Sequence, residues 1–267
     1  MKSIQKITSP SNPKIREAGS FRIRKNPLDP RFFIEGPHLV DQALAGNSAA
    51  FSSVFFSTSF LARDDGKRLL GCFDVRTCFE VPDDLMRKIA DTEHPQGIAA
   101  IVALPALSLD TLSLPPSPLL VVLDAIQDPG NLGTIIRTAD AAGASAVFLL
   151  PGTCDHLSAK AVRATAGSVF HVPALRTAED ELLAWLRQRA ILIAATAAGA
   201  GQDMYGADLR QPVAFVFGNE ARGVRPSFLT AAGMILSIPI LGKAESLNVA
   251  ASSAIMLYEA VRQRRQG

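Results

Sequence analysis

Cysteine is scarce in this 267-residue chain, with three residues, Cys72, Cys78 and Cys154, and no Cys-x-x-Cys pair among them. Three thiols so placed can build neither a disulfide scaffold nor a four-cysteine zinc site, so no metal is expected and a reducing, cytoplasmic setting fits. An excess of one charge is also missing. Lys and Arg number 27 against 25 Asp and Glu, a formal net charge of +2, so the chain is no polycation and any nucleic-acid contact must come from local patches. Long uninterrupted apolar runs are absent too. The start, Met1-Lys2-Ser3-Ile4-Gln5-Lys6, has no signal-peptide core, and no later stretch could span a bilayer without charge, Gly or Pro. A soluble intracellular protein without a membrane partner is expected.

What the chain does have is apolar bulk, 48% of its residues, enough for one large or two modest cores. Its clearest compositional break is the Pro/Ser/Leu stretch from Leu104-Pro105 to Pro118, where proline removes backbone donors and restricts its predecessors. The chain therefore divides into residues 1–103, a linker at 104–117, and residues 118–267. The first segment opens basic: Lys2, Lys6, Lys14, Arg16, Arg22, Arg24, Lys25 and Arg31 face only Glu17 and Asp29 up to residue 31. Such a cluster, with Arg22, Arg24 and Lys25 at its centre, is either a phosphate-facing surface or a solvated helix face. Short apolar runs at Ser53–Phe56 and Ile98–Val102 alternate with helical stretches at His38–Ala45 and Pro82–Ala90, the pattern of a small α/β domain.

Beyond the linker, continuous apolar runs (Leu119–Leu123, Ala146–Leu150, Ile191–Ala195, Val213–Phe217, Ile235–Pro239) are separated by helical segments. Continuous runs are what strands covered on both faces look like, so an α/β fold with a mainly parallel sheet is expected, its ligand sites at the carboxyl ends of the strands. Three loops stand there. In Asp128-Pro129-Gly130-Asn131, a tight turn leads into a helix with Asn131 near its cap and Arg137 under two turns in; a capped helix with an exposed arginine accounts for the same residues. The glycines Gly130 and Gly133 do not make the dinucleotide fingerprint G-x-G-x-x-G. In Gly218-Asn219-Glu220-Ala221-Arg222-Gly223, two glycines let the backbone turn sharply against a ligand, or simply form a surface turn. In Ile238-Pro239-Ile240-Leu241-Gly242-Lys243-Ala244-Glu245-Ser246-Leu247-Asn248, Ser246 stands where it could cap a long alanine-rich helix.

Together and in this order, the loops resemble the three signature motifs of the SpoU (TrmH-type) methyltransferases of the SPOUT superfamily: N-P-G-N-x-G-x-x-x-R-T-A-x-x-x-G, F-G-N-E-x-x-G and I-P-x-x-G-x-x-E-S-L-N-V. The match runs from about Leu119 to Arg262 and departs at Asp128, where asparagine is usual, and at Ala221-Arg222. Residues 33–40 (FIEGPHLV) and 94–98 (HPQGI) also resemble the RNA-substrate-binding domain of ribosomal RNA-modifying members, which favours rRNA over tRNA.

The resemblance implies transfer of a methyl group from S-adenosylmethionine to a ribose 2′-hydroxyl of RNA, a deep trefoil knot around the second and third motifs, and a homodimer packed through the terminal helix. It implies cofactor contacts at Gly218, Ile238 and Leu247, with Thr196 on a neighbouring loop, and polar site residues Asn131, Arg137, Glu220, Ser246 and Asn248. A guanidinium is a poor base, so phosphate docking and alkoxide stabilisation rank ahead of proton abstraction for Arg137, leaving Glu220 or a water as base. Within the family a tRNA ribose methyltransferase or an antibiotic-resistance rRNA methylase would carry the same motifs. A non-catalytic RNA-binding or ribosome-assembly protein is the reading outside enzymes, and retention of Asn131, Arg137, Glu220 and Asn248 argues against it.

Overall fold

Strands buried on both faces need a helical layer on each side, and the chain supplies this arrangement twice. The structure is a computed structural model that describes residues 4–24, 26–27, 29–46, 48–197, 199 and 201–266. It parts into two units, Met1–Ala106 with Asp155–Phe170, and Leu107–Cys154 with His171–Gly267. No helix among the described residues is long and apolar enough to cross a membrane.

The first unit runs β1 (Gln5–Lys6), α1 (Pro13–Ile23), β2 (Arg31–Glu35), α2 (Pro37–Ala45), β3 (Ala50–Ser57), α3 (Thr58–Ala62), α4 (Asp64–Gly71), β4 (Cys78–Val81), α5 (Asp83–Ile89) and β5 (Ile98–Ala103). Its sheet has the order β1-β4-β3-β5-β2, with β5 antiparallel to both neighbours and the other pairs parallel. Successive strand residues alternate between faces. Phe33, Phe55, Phe79 and Ile101 pack against Ile15 and Ala18 of α1 and Leu85, Met86 and Ile89 of α5. Phe32, Ile34, Val54 and Phe56 pack against Leu39, Val40 and Ala43 of α2 and, on the same face, against Leu157, Val162, Val169 and Phe170.

Those last four residues lie in Asp155–Phe170, a segment that the sequence reading leaves in the second domain. Its helix α7 (Ala159–Thr165) is held in the first unit by an Arg163–Asp91 ion pair, and a contact of 3.0 Å joins His38 Nε2 to the Ala166 carbonyl. The Phe170 ring stacks on Phe32 with centroids 6.0 Å apart. A Pro-rich break marks where a chain leaves one unit but carries no sign of a later return, and the return is what this segment makes.

The second unit runs β6 (Leu119–Leu123), α6 (Pro129–Ala141), β7 (Ala146–Leu149), β8 (Ala174–Arg176), α8 (Glu179–Gln188), β9 (Leu192–Thr196), β10 (Gln202–Asp203), β11 (Val213–Phe217), α9 (Pro226–Ala231), β12 (Met234–Ser237) and α10 (Val249–Gln266). All seven strands are parallel, in the order β10-β12-β9-β11-β6-β7-β8. Leu119, Val121, Leu123, Phe215 and Phe217 face α6 and α10. Leu120, Val122, Phe148 and Val216 face Leu182, Trp185 and Leu186 of α8 and Phe228 of α9. The expected parallel sheet with helices on both faces is thus present. The stretch before β6 has no regular structure, yet it is docked: Leu109 is buried and its carbonyl accepts a hydrogen bond from Trp185 Nε1 at 3.2 Å.

A fragment of residues 107–267 should therefore expose Leu157, Val162, Val169 and Phe170. It is expected to bind a hydrophobic dye that the full chain does not and to aggregate beyond the full chain's oligomeric state; a dye-silent fragment with the same oligomeric state as the full chain would refute the assignment of this segment to the first core.

Candidate functional site

Parallel strands bring their carboxyl ends to one edge of the sheet, and there the loops after β9, β11 and β12 line a cavity of about 610 Å³. Thr196, Gly218, Ile238 and Leu247 all line it, as do Glu220, Ser246 and Asn248. Ile238, Leu247 and Met256 supply apolar wall, and side-chain and backbone polar groups of the loops supply the rest, a mixture and a volume suited to a nucleoside-sized ligand. Thr196 Oγ1 itself donates to the Val216 carbonyl at 2.9 Å and so ties β9 to β11.

Asp124, at the end of β6, organises the second loop. Its backbone N–H donates to the Phe217 carbonyl at 2.9 Å, and its buried carboxylate accepts from Arg225 N at 2.7 Å and Arg225 Nε at 2.8 Å. Arg225 also pairs with Glu179 and donates to the Pro151 carbonyl at 3.0 Å. The next residue, Ala125, takes a positive φ of 57°, and its carbonyl accepts from Asn219 Nδ2 at 2.9 Å. Asn219 Oδ1 in turn accepts from Ala221 N and Arg222 N, and the Asn219 and Gly223 backbones exchange hydrogen bonds of 2.8 and 3.1 Å. The loop closes so tightly that a Cβ on Gly218 would lie 2.2 Å from the Gly223 carbonyl carbon, so only glycine fits. Sequence reasoning passed over Asp124, Asn219 and Arg225. Asparagine between two loop glycines, a frequent Asx-turn residue, is the one available signal.

The cap of α6 is Asp128 and not Asn131. Pro129 occupies the first helical position, as proline favours, so Asp128 Oδ1 accepts from Asn131 N at 2.9 Å. The side chain of Asn131 is thereby free for other work: its Nδ2 donates to Glu220 Oε1 at 2.9 Å, and its Oδ1 accepts from Asn248 Nδ2 at 3.1 Å. Asn248, not Ser246, caps α10, its Oδ1 accepting from Ala250 N at 2.9 Å. One chain, Asn248 to Asn131 to Glu220, therefore joins all three loops, and both of its ends line the cavity. Arg137 stands apart, exposed on α6, with no hydrogen bond or ion pair to any described residue.

In the first unit the basic cluster is used differently from a bare phosphate-facing surface. The Arg24 side chain is only 3% exposed; it pairs with Asp155 and donates to the carbonyls of Arg31, Pro27 and Asp29, the last at 2.9 Å. It stands at the end of α1 with a positive φ of 47°, and its guanidinium is engaged by protein groups and not by solvent. Arg22 Nη1 donates to the Ala90 carbonyl at 2.9 Å, and Lys25 lies outside the described residues.

The model of the SpoU rRNA methylase family matches residues 118–258, across all three loops. The chain belongs to that family. An MRM3-like substrate-binding domain matches residues 12–100. Bacillus subtilis RlmP, a 23S rRNA (guanosine(2553)-2′-O)-methyltransferase, is 33% identical over 96% of this chain and 98% of its own length. The AdoMet-bound rRNA methyltransferase from Sinorhizobium meliloti superposes with a TM-score of 0.87 at 31% identity, covering 97% of this chain and 98% of that one. The SpoU methyltransferase AviRb from Streptomyces viridochromogenes, in complex with AdoMet, gives a TM-score of 0.85 at 28% identity over 96% and 99%.

Two buried pairs of this SpoU protein can be tested directly. Arg225→Ala leaves the Asp124 carboxylate without its ion-pair partner, with only the backbone N–H of residue 225 still donating to it, and should destabilise by up to about 3 kcal/mol in urea denaturation. Arg24→Ala should also destabilise, through loss of the Asp155 pair. Unchanged stability with a weaker salt dependence of RNA affinity would return Arg24 to the RNA-facing surface.

Proposed function

We propose that the protein transfers a methyl group from S-adenosylmethionine to a ribose 2′-hydroxyl of ribosomal RNA. The observation that carries this reading is that Thr196, Gly218, Ile238 and Leu247 line one cavity, with Glu220 and Asn248 in the same lining and joined through Asn131. The residues fit the cofactor: an apolar wall for the adenosyl group stands beside a loop that can close on itself only because residue 218 lacks a Cβ.

When bound, S-adenosylmethionine supplies a methyl group already activated on a sulfonium. What is left to the protein is alignment and handling of the hydroxyl proton. Asn131 engages one oxygen of Glu220 and so orients the carboxylate, leaving the other oxygen to accept the proton directly or through water. Arg137, unpaired and exposed, docks an RNA phosphate and stabilises negative charge as it develops on the ribose oxygen. Asn248 fixes Asn131 and thereby holds the first and third loops together.

The first unit serves as the RNA-binding domain, and the linker joins it to the catalytic one. Return of α10 onto α6 after the 238–248 loop, with β11 seated between β6 and β9, supports a deep trefoil knot. Leu241, 99% exposed, and Tyr258, 49% exposed, support a homodimer in which a second copy covers the third loop and the terminal helix. The enzyme acts in the cytoplasm, where its rRNA substrate is found.

Arg137→Ala should lower kcat on the order of 100- to 1000-fold and leave S-adenosylmethionine affinity in calorimetry essentially unchanged. Near-normal turnover would remove the proposed role, and lost cofactor affinity would move Arg137 to the other side of the site.

A further inference from the structure

The first unit contains a second cavity, of about 270 Å³, where the carboxyl ends of the parallel strands β3 and β4 meet the His94-Pro95-Gln96-Gly97 turn that leads into β5. Its construction is specific. Gly97, at φ +92°, accepts a hydrogen bond on its carbonyl from Ser57 N at 2.8 Å, and a Cβ there would lie 2.6 Å from Phe60 Cβ and 2.8 Å from Ser57 Oγ. The turn is thus pressed onto β3 and α3 with no room for a side chain.

Buried Phe60 and Met86 give the cavity an apolar part. Asp83, at the start of α5, gives it a half-buried carboxylate. The Ser59 hydroxyl donates to its Oδ1 and holds the carboxyl below its usual range, so Asp83 is an anion at neutral pH. Around the opening stand Arg63, Arg87, His94 and Gln96. Arg63 is fixed there, with Nε donating to Asp65 at 3.0 Å and its guanidinium 5.2 Å from the centre of the Phe60 ring.

This chemistry selects among ligands. Asp83 and Glu93 lie in the same lining as Arg63 and Arg87, so the formal charges cancel and a bare phosphate gains little. An apolar surface beside a carboxylate acceptor, with planar groups at the rim, suits instead a flat heterocycle that carries N–H donors. RNA is read in sequence chiefly at unpaired bases, which stack on His, Arg or aromatic planes while their edges are hydrogen-bonded. Guanine alone offers two adjacent donors, N1–H and the N2 amine, on its Watson–Crick edge.

We propose that this cavity takes one unstacked guanine of the RNA substrate, with its donor edge on the Asp83 carboxylate and its face against the planar groups of Arg63 and His94. The inference rests on the proposed function and extends it, since it names where the substrate-binding unit reads a base. Arg87 would meet the backbone phosphate of the captured nucleotide.

The test uses the full chain with an unmodified 23S rRNA transcript and tritiated S-adenosylmethionine. Asp83→Asn keeps the shape and the Ser59 contact but turns an acceptor into a donor. It should raise KM for the transcript on the order of tenfold, with kcat and cofactor affinity held. Arg87→Ala, at an exposed position, should raise KM by a smaller factor. With 6-thioguanosine in the transcript, near-ultraviolet light should cross-link the wild-type protein within residues 57–63 or 83–97, and 4-thiouridine should not. Wild-type turnover together with unchanged KM in both variants and no such cross-link would overturn the cavity's role alone. A wild-type protein that neither binds nor methylates the transcript would overturn the RNA reading and, with it, this one.

Discussion

The Asp124 carboxylate, buried at the end of β6 and closed by Arg225, is the constraint on which the site depends. A buried charge is tolerated only when its partners satisfy it, and removing one partner costs more than the pair contributes. Asp124 can be satisfied only if the chain after β11 returns to it, because two of its hydrogen bonds come from the backbone and side chain of Arg225. That return defines the loop 218–224. The same short segment then bonds Asn219 through the Ala125 carbonyl and Cys154 N through the Ile126 carbonyl, and two residues later caps α6 with Asp128. Four structural decisions are therefore made within five residues.

The second constraint is electrostatic. Asn131 stands in the first turn of α6 and Asn248 at the cap of α10, so the Glu220 carboxylate is bonded, directly and through one amide, to the amino-terminal ends of two helices. Helix amino termini favour negative charge by about 0.3–1 kcal/mol each near a surface. That is modest beside the Asp124 pair, and it holds an exposed side chain in place without burying it. Strong burial at Asp124 and light tethering at Glu220 divide the work: one holds the loop, the other leaves a carboxylate oxygen without a bond to Asn131.

How far the sequence reveals this depends on whether a feature is local. Leu119–Leu123 and Val213–Phe217 are strands at the residues expected, because an unbroken apolar run is a local signal. β8 and β10, three and two residues long, carry no such signal and were not expected. Asp128 and Asn131 are both good caps, and Pro129 between them decides the matter. Arg24 reads as one more cation in a basic run, since its partner Asp155 lies 131 residues away. For the same reason the packing of Asp155–Phe170 with the first unit is invisible to composition. The motif resemblance names Thr196, Gly218, Glu220, Ile238, Ser246, Leu247 and Asn248, which line the cavity, together with Asn131 and Arg137, which are outside its lining, and carries no sign of the ion pair that sets the geometry of the loop.

Both cavities obey one rule. Each lies at the carboxyl ends of parallel strands, β3 and β4 in the first unit and β9, β11 and β12 in the second, where the backbone leaves the sheet with its loops converging. Each also has a glycine where a turn presses onto its neighbour, Gly97 and Gly218, with no room for a Cβ. Antiparallel β2 and β5 close the first sheet on one side without forming such an edge, and the short outer strands of the second sheet contribute no residue to its cavity. The cavities are therefore placed by topology before they are placed by residue type: parallel pairing creates the edge, glycine lets the loops close on it, and only then do the carboxylates of Asp83 and Glu220 come to line a cavity.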